Sequence, residues 1–173
     1  MPFWDPAFQE PLRQYRWQVK FGGGLLPQLR YTLKKVDKPK AKVNEITHKY
    51  LNHFFYYPGR VEWEPINMTM VAVNSPNTGE NSTASLYRLL ELAGYSWPAA
   101  GGQFETRTVS KNRFTGNIGG MEIVQVNAEG LAVESFQLIN PFFTSIQFGS
   151  LDYASEEVVD ITLTVRYDST KLI

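Results

Sequence analysis

The chain has 173 residues, 43% of them apolar and 20% charged, which is the composition of a folded domain with its own core rather than a disordered segment. It contains no cysteine, which excludes disulfides and thiolate metal sites. Net charge is zero, but residues 1–60 hold 11 Lys/Arg against 4 Asp/Glu, and residues 121–173 hold 2 against 8. Two readings of that segregation stay open: the ends pair within one subunit, or the subunit is dipolar and meets the opposite end of another copy.

The dominant period is two. Tyr15, Trp17, Val19 and Phe21 alternate with Arg16, Gln18 and Lys20, predicting a strand with one buried face before the break at Gly22-Gly23-Gly24. Leu29, Tyr31 and Leu33 predict a second strand, and Asp37-Lys38-Pro39-Lys40 a turn. A third extended segment covers about Ala41–Leu51. Four aromatics follow, Phe54, Phe55, Tyr56 and Tyr57, and run into Pro58-Gly59-Arg60. Pro-Gly is a tight-turn dipeptide, so the aromatics are expected beside a hairpin tip. Aromatics there contribute little to a lone domain and much to a contact with a neighbour. A strand over Val61–Val73 comes next, with Pro65 marking an edge or bulge.

One helix is predicted, about Thr83–Ala93, capped by Asn81 or Ser82 and stopped by Gly94. Leu86, Leu89, Leu90 and Ala93 form its apolar stripe. The stretch from Trp97 to Gly120 has no clear period, and Thr106–Phe114 reads as a strand or a basic loop. Strands over Met121–Asn127, Leu131–Ile139, Thr144–Gly149 and Val159–Tyr167 complete the chain. Strands dominate without a βαβ rhythm, so residues 1–173 are expected to form one mainly β domain. Its fold class is an antiparallel β-sandwich or barrel with one short α-helix.

No constellation for catalysis emerges. His48 and His53, five residues apart on an extended segment, are expected on opposite faces, and so do not chelate one metal together. No Gly-x-Ser-x-Gly elbow occurs, and neither Gly22-Gly23-Gly24 nor Gly116–Gly120 continues into the Gly-Lys-Ser/Thr of a phosphate loop. Glu156, Glu157 and Asp160 read as an acidic turn rather than a glycosidase pair. The basic run Lys34–Lys42 reads as a solvated turn rather than a nucleic-acid site. No apolar run approaches the ~20 residues of a membrane helix, and Met1–Pro6 lacks the pattern of a signal peptide. No enzyme activity, cofactor, metal or membrane anchor is therefore expected.

Three segments resemble the tail tube proteins of contractile-tailed bacteriophages and, more widely, the tube proteins of contractile injection systems. They are Asp5-Pro6 through Val19, Tyr57 through Met70, and Met121 through Phe143 with the closing strand Val158–Tyr167. The stretch Gly101–Gly120 falls outside the match, and the aromatics Phe54–Tyr57 are heavier than is usual in the family. The resemblance implies a structural virion protein. Its hexameric rings would join inner strands into a β-barrel and stack head to tail into a tail tube, assembled in the host cytoplasm. It also implies partners: other copies of the chain, the tail sheath, baseplate and terminator proteins, and double-stranded DNA passing through the lumen without specific binding. Within that frame, Phe54, Phe55, Tyr56, Tyr57, Pro58, Gly59 and Arg60 are the candidate inter-subunit contacts. Glu122 and Glu134 are candidate lumen residues, since like charge lets DNA slide. A baseplate tube initiator, a tube terminator and, more distantly, a carbohydrate-binding β-sandwich are the alternatives.

Overall fold

The computed structural model describes residues 11–24, 29, 32–74, 81–97 and 108–173. Ten strands and two helices follow in the order β1 (Trp17–Phe21), β2 (Leu33–Val36), β3 (Lys40–Tyr50), β4 (His53–Glu64), β5 (Ile66–Val71), α1 (Ser82–Ala93), α2 (Lys111–Ile118), β6 (Met121–Val126), β7 (Ala132–Ile139), β8 (Phe142–Gln147), β9 (Asp160–Arg166) and β10 (Ser169–Leu172). The protein is mainly β and every strand pair is antiparallel, as the period-two pattern predicts.

Two four-stranded sheets, β1-β6-β7-β10 and β2-β5-β9-β8, face each other. No strand among the described residues joins them into a closed barrel. The alternation that marks each strand in the sequence supplies the core. Ile66, Met68 and Met70 of β5 and Ile161, Leu163 and Val165 of β9 point inward from one sheet. Val19, Met121, Ile123 and Leu138 point inward from the other. Each such fully buried side chain contributes about 1.5–3 kcal/mol.

Helix α1 forms as its stripe predicts and buries Leu86, Leu89 and Ala93. Asn81 caps it by accepting a hydrogen bond from the Ala84 N–H at 2.5 Å, and Gly94 ends it in the left-handed region at φ 118°.

The prediction of a single helix is corrected by α2. Lys111–Ile118 is helical where a strand or basic loop was the expectation, and residues 106–107 lie outside the described residues. With little more than two turns of helix, only Phe114 and Ile118 mark a face, and Gly116 weakens the pattern. Phe114 packs edge-on against Phe142 and Phe143. Gly119 ends α2 at φ 68°, and the chain there lies directly on the end of β1: the Gly22 N–H donates to Gly120 O at 3.0 Å and the Gly23 N–H to Ile118 O at 2.7 Å. The two glycine clusters are therefore a backbone-on-backbone crossing, not a ligand loop.

The predicted second strand shifts. Leu29 is buried, residues 30–31 lie outside the described residues, and pairing begins at Leu33. The short β10 has no apolar alternation and was invisible in the sequence. It borrows its register from β7, with Ser169 opposite Ile139.

Candidate assembly surface

Among the described residues, strands β3 and β4 pair only with each other and project from the second sheet as a two-stranded arm. The pairing offset of Val36 with Met68 in the sheet is also that of Lys40 with Glu64 in the arm, so β2–β3 and β4–β5 are the two sides of one long hairpin. On that offset Pro39 stands opposite Pro65, and neither can donate to the ladder. This rung marks the root of the arm. At 11 and 12 residues, the arm strands extend roughly 36–40 Å at about 3.3 Å per residue. Every residue of β3 is exposed, and so are nine of the twelve in β4.

The hairpin tip is not at Pro58-Gly59. The chain reverses at Leu51-Asn52, with Leu51 in the left-handed region at φ 49°. Pro58-Gly59 lies inside β4, where the register slips between Val43 and Glu45 so that Gly59 and Arg60 together oppose Asn44. This is a β-bulge, a place where a strand tolerates both residues. A Cβ on Gly59 would stand 2.8 Å from Asn44 O. The strongest turn dipeptide of the sequence is thus used to bend a strand rather than to end one.

The bulge also resets which side chains share a face. Beyond it, Ile46, His48, Tyr50, His53, Phe55 and Tyr57 lie on one face, and Glu45, Thr47, Lys49, Phe54, Tyr56 and Pro58 on the other. The four aromatics therefore divide two and two. His48 and His53 share a face, because they sit on different strands across the turn; their expected placement on opposite faces is corrected. No cluster of three metal-ligating side chains occurs among the described residues.

At the arm's root, Trp63 packs on Tyr167 with ring centroids 6.3 Å apart. Burial pushes the Tyr167 phenol above its ordinary pKa, and its hydroxyl lies beside the Lys40 backbone without a well-formed hydrogen bond. Lys40 pairs with Glu64 at 2.7 Å and holds that carboxyl below the usual range. Arg166 pairs with Glu62 at 3.0 Å.

Much of the charge segregation is resolved inside the subunit. Lys20 pairs with Glu122 at 3.7 Å, Lys34 with Asp160 at 2.7 Å and Lys38 with Glu134 at 2.8 Å, each joining the basic first third to the acidic last third. The two candidate lumen residues stand on opposite faces of the first sheet. Glu122 pairs across from Gln137 on its outer face and accepts a hydrogen bond from Ser135 Oγ, whereas Glu134 is in phase with inward-facing Phe136 and Leu138.

Among the described residues no helix is long and apolar enough to cross a membrane. No protein-family model matches the sequence, and no curated protein matches it. Solved structures do match over nearly the whole length. A chain of the six-fold symmetrised baseplate of the anti-feeding prophage (AFP) has a TM-score of 0.66 at 16% identity, covering 95% of this chain and 97% of that one. A chain of the AFP tube-terminating cap has 0.65 at 18%, covering 100% and 99%. A chain of the extended sheath–tube complex of the extracellular contractile injection system PVC has 0.63 at 17%, covering 96% and 94%. The fold of this chain is the one found in tube, cap and baseplate assemblies of contractile injection systems.

Proposed function

We propose that the chain is a structural, non-catalytic tube protein whose copies form hexameric rings that stack head to tail into the inner tube of a contractile tail. The arm carries this reading. A two-stranded hairpin without a third strand or a covering layer is marginal in water. This one spans roughly 36–40 Å and exposes Phe54, Phe55, Tyr56 and Tyr57. Its sequence makes physical sense when a neighbour covers it. Each aromatic then buries about 150–250 Å². A contact between an arm and a different surface of the next copy is heterologous, and heterologous contacts build rings and filaments.

Sheath, baseplate and terminator proteins are the partners that this role requires, and double-stranded DNA is the cargo the lumen would pass. Of the two lumen candidates, Glu122 is retained, because it stands on the face of the first sheet turned away from the core, where Gln18, Lys20 and Gln137 are exposed. Concentrated protein should form tubes by negative-stain electron microscopy. Tyr56→Ser combined with Tyr57→Ser should leave the fold intact and abolish them. Tubes formed equally well by that variant would remove the arm from the assembly mechanism. Rings found only at one end of a tail, rather than along it, would assign the chain to an initiator or a terminator.

A further inference from the structure

We infer that the tip half of the arm seats in a groove at the opposite pole of the next copy, built by the connection between β8 and β9. The inference rests on the tube reading and names the surface that receives the arm.

The register of the second sheet separates the two poles. The arm leaves the sheet at Ile66, which pairs with Val165 near the end of β9. The groove opens beside Asp160 at the start of β9, which pairs with Val71 at the far end of β5. Arm and groove thus lie at opposite ends of the same strands. A copy displaced along the strand axis brings one to the other. The arm strands, at 11 and 12 residues, are longer than the seven-residue β9, so the arm reaches past the body of its own sheet.

The groove encloses about 620 Å³ and is walled by Leu151, Tyr153, Val158 and Val159. Leu151 is 88% exposed and Tyr153 fully so, an apolar wall with no cover among the described residues. Its lining includes Asp152 and Glu157, and Glu156 adjoins Glu157 in the chain; none of the three is in an ion pair among the described residues, and residues 148–159 include no Lys or Arg. The arm supplies the complement. Lys42, Lys49 and Arg60 are in no ion pair among the described residues, against one unpaired acid, Glu45. Lys49 lies over the Phe54 ring at 5.8 Å, on the face that also carries Tyr56. The Lys49–Phe54–Tyr56 face therefore offers aromatic rings to the apolar wall and, at its tip end, a cation to the acidic rim, with Glu45 on the same face toward the root. The opposite face of this part of the arm carries no Lys, Arg, Asp or Glu; its polar groups are His48, His53 and the phenols of Tyr50 and Tyr57.

Because the native chain has no cysteine, paired cysteines report the contact cleanly. Tyr56→Cys with Leu151→Cys, oxidised under assembly conditions, should give a ladder of dimers, trimers and higher species on a non-reducing gel. Each cysteine alone should give dimers at most. Phe55→Cys with Leu151→Cys, which presents the other face, should give less than a tenth of that yield. Glu156→Lys with Glu157→Lys should slow tube growth at least tenfold in low salt, and Lys49→Glu in the same chain should restore it in part. Tubes without a ladder overturn the groove and leave the tube reading standing. A ladder without tubes supports the groove while the tube reading falls. Neither tubes nor ladder overturns both, and a stronger ladder from Phe55 overturns the choice of face.

Discussion

The sandwich and the arm share strands but not physics. The long hairpin that begins in β2 and returns through β5 is in its base half a buried wall, where Ile66, Met68 and Met70 have almost no contact with water. Beyond Pro39 and Pro65 the same hairpin continues with similarly apolar residues, and nearly all of them are exposed. The difference lies in what stands opposite. In the base, β9 pairs alongside and the other sheet covers the face; in the arm beyond its root, nothing among the described residues does either. Apolar content therefore identifies buried surface without saying whose interior it belongs to.

Truncations should expose this contrast most strongly. Leu163→Ala removes a core side chain held between the sheets and should cost about 2–5 kcal/mol, because a cavity remains. The matching truncation on the arm, Phe55→Ala, should change stability by no more than about 0.5 kcal/mol, as at other exposed positions. Urea unfolding of the unassembled subunit measures both. Comparable losses in the two variants would mean that the arm is folded onto the body in solution.

How much of this was legible in the sequence follows the same division. Strands β5, β6, β7 and β9 were readable because a sheet with one buried face writes period two into its side chains. Helix α1 was readable from its stripe and from Asn81 and Gly94 at its ends. Helix α2 was not, since Phe114 and Ile118 alone cannot establish a helical period within eight residues. The arm's aromatics were visible, but their geometry was not. Leu51-Asn52 is an unremarkable turn sequence, whereas Pro58-Gly59 is a strong one placed at a bulge. The groove showed in the sequence only as the acidic turn Glu156–Asp160, because the apolar wall of Leu151, Tyr153, Val158 and Val159 follows no strand or helix period. The glycine clusters were conspicuous as sequence and silent about their role, since a backbone crossing is specified by what both chains lack.

That crossing belongs wholly to the sandwich, and it should rank next in effect. Gly119 sits at φ 68°, where a side chain is strained, and a Cβ there would come within 2.3 Å of the Gly23 nitrogen. Gly119→Ala should therefore cost about 1–3 kcal/mol. Gly59→Ala, at the arm's bulge, meets Asn44 O at 2.8 Å and can relax because only two strands must move. Its cost should be smaller in urea unfolding, and a larger one would show that the bulge is as tightly held as the body.

The smallest effect should come from the surface charges, where body and arm each have one carboxylate held below its usual range. In the body, Asp168 accepts from Lys111 Nζ at 2.6 Å and from Asn140 Nδ2 at 2.9 Å, tying α2 to the turn between β9 and β10; these hydrogen bonds lower its pKa, the Lys111 contact foremost. At the arm's root, Glu64 relies on Lys40. A carboxyl whose folded pKa is depressed contributes stability above its unfolded value and loses that contribution as pH falls through the folded one. Asp168→Asn should thus cost up to about 1 kcal/mol at neutral pH, the range of exposed pairs, and high salt should reduce the loss. The difference from wild type should shrink as pH drops below the ordinary value of 3.8, where the wild-type carboxyl also begins to protonate. Glu64→Gln should show a weaker trend in the isolated subunit, because the arm it anchors adds little to the fold. If the two variants lose equal stability with the same pH profile, the root of the arm is as much a part of the folded body as the α2 junction, and the boundary drawn at Pro39 and Pro65 is misplaced.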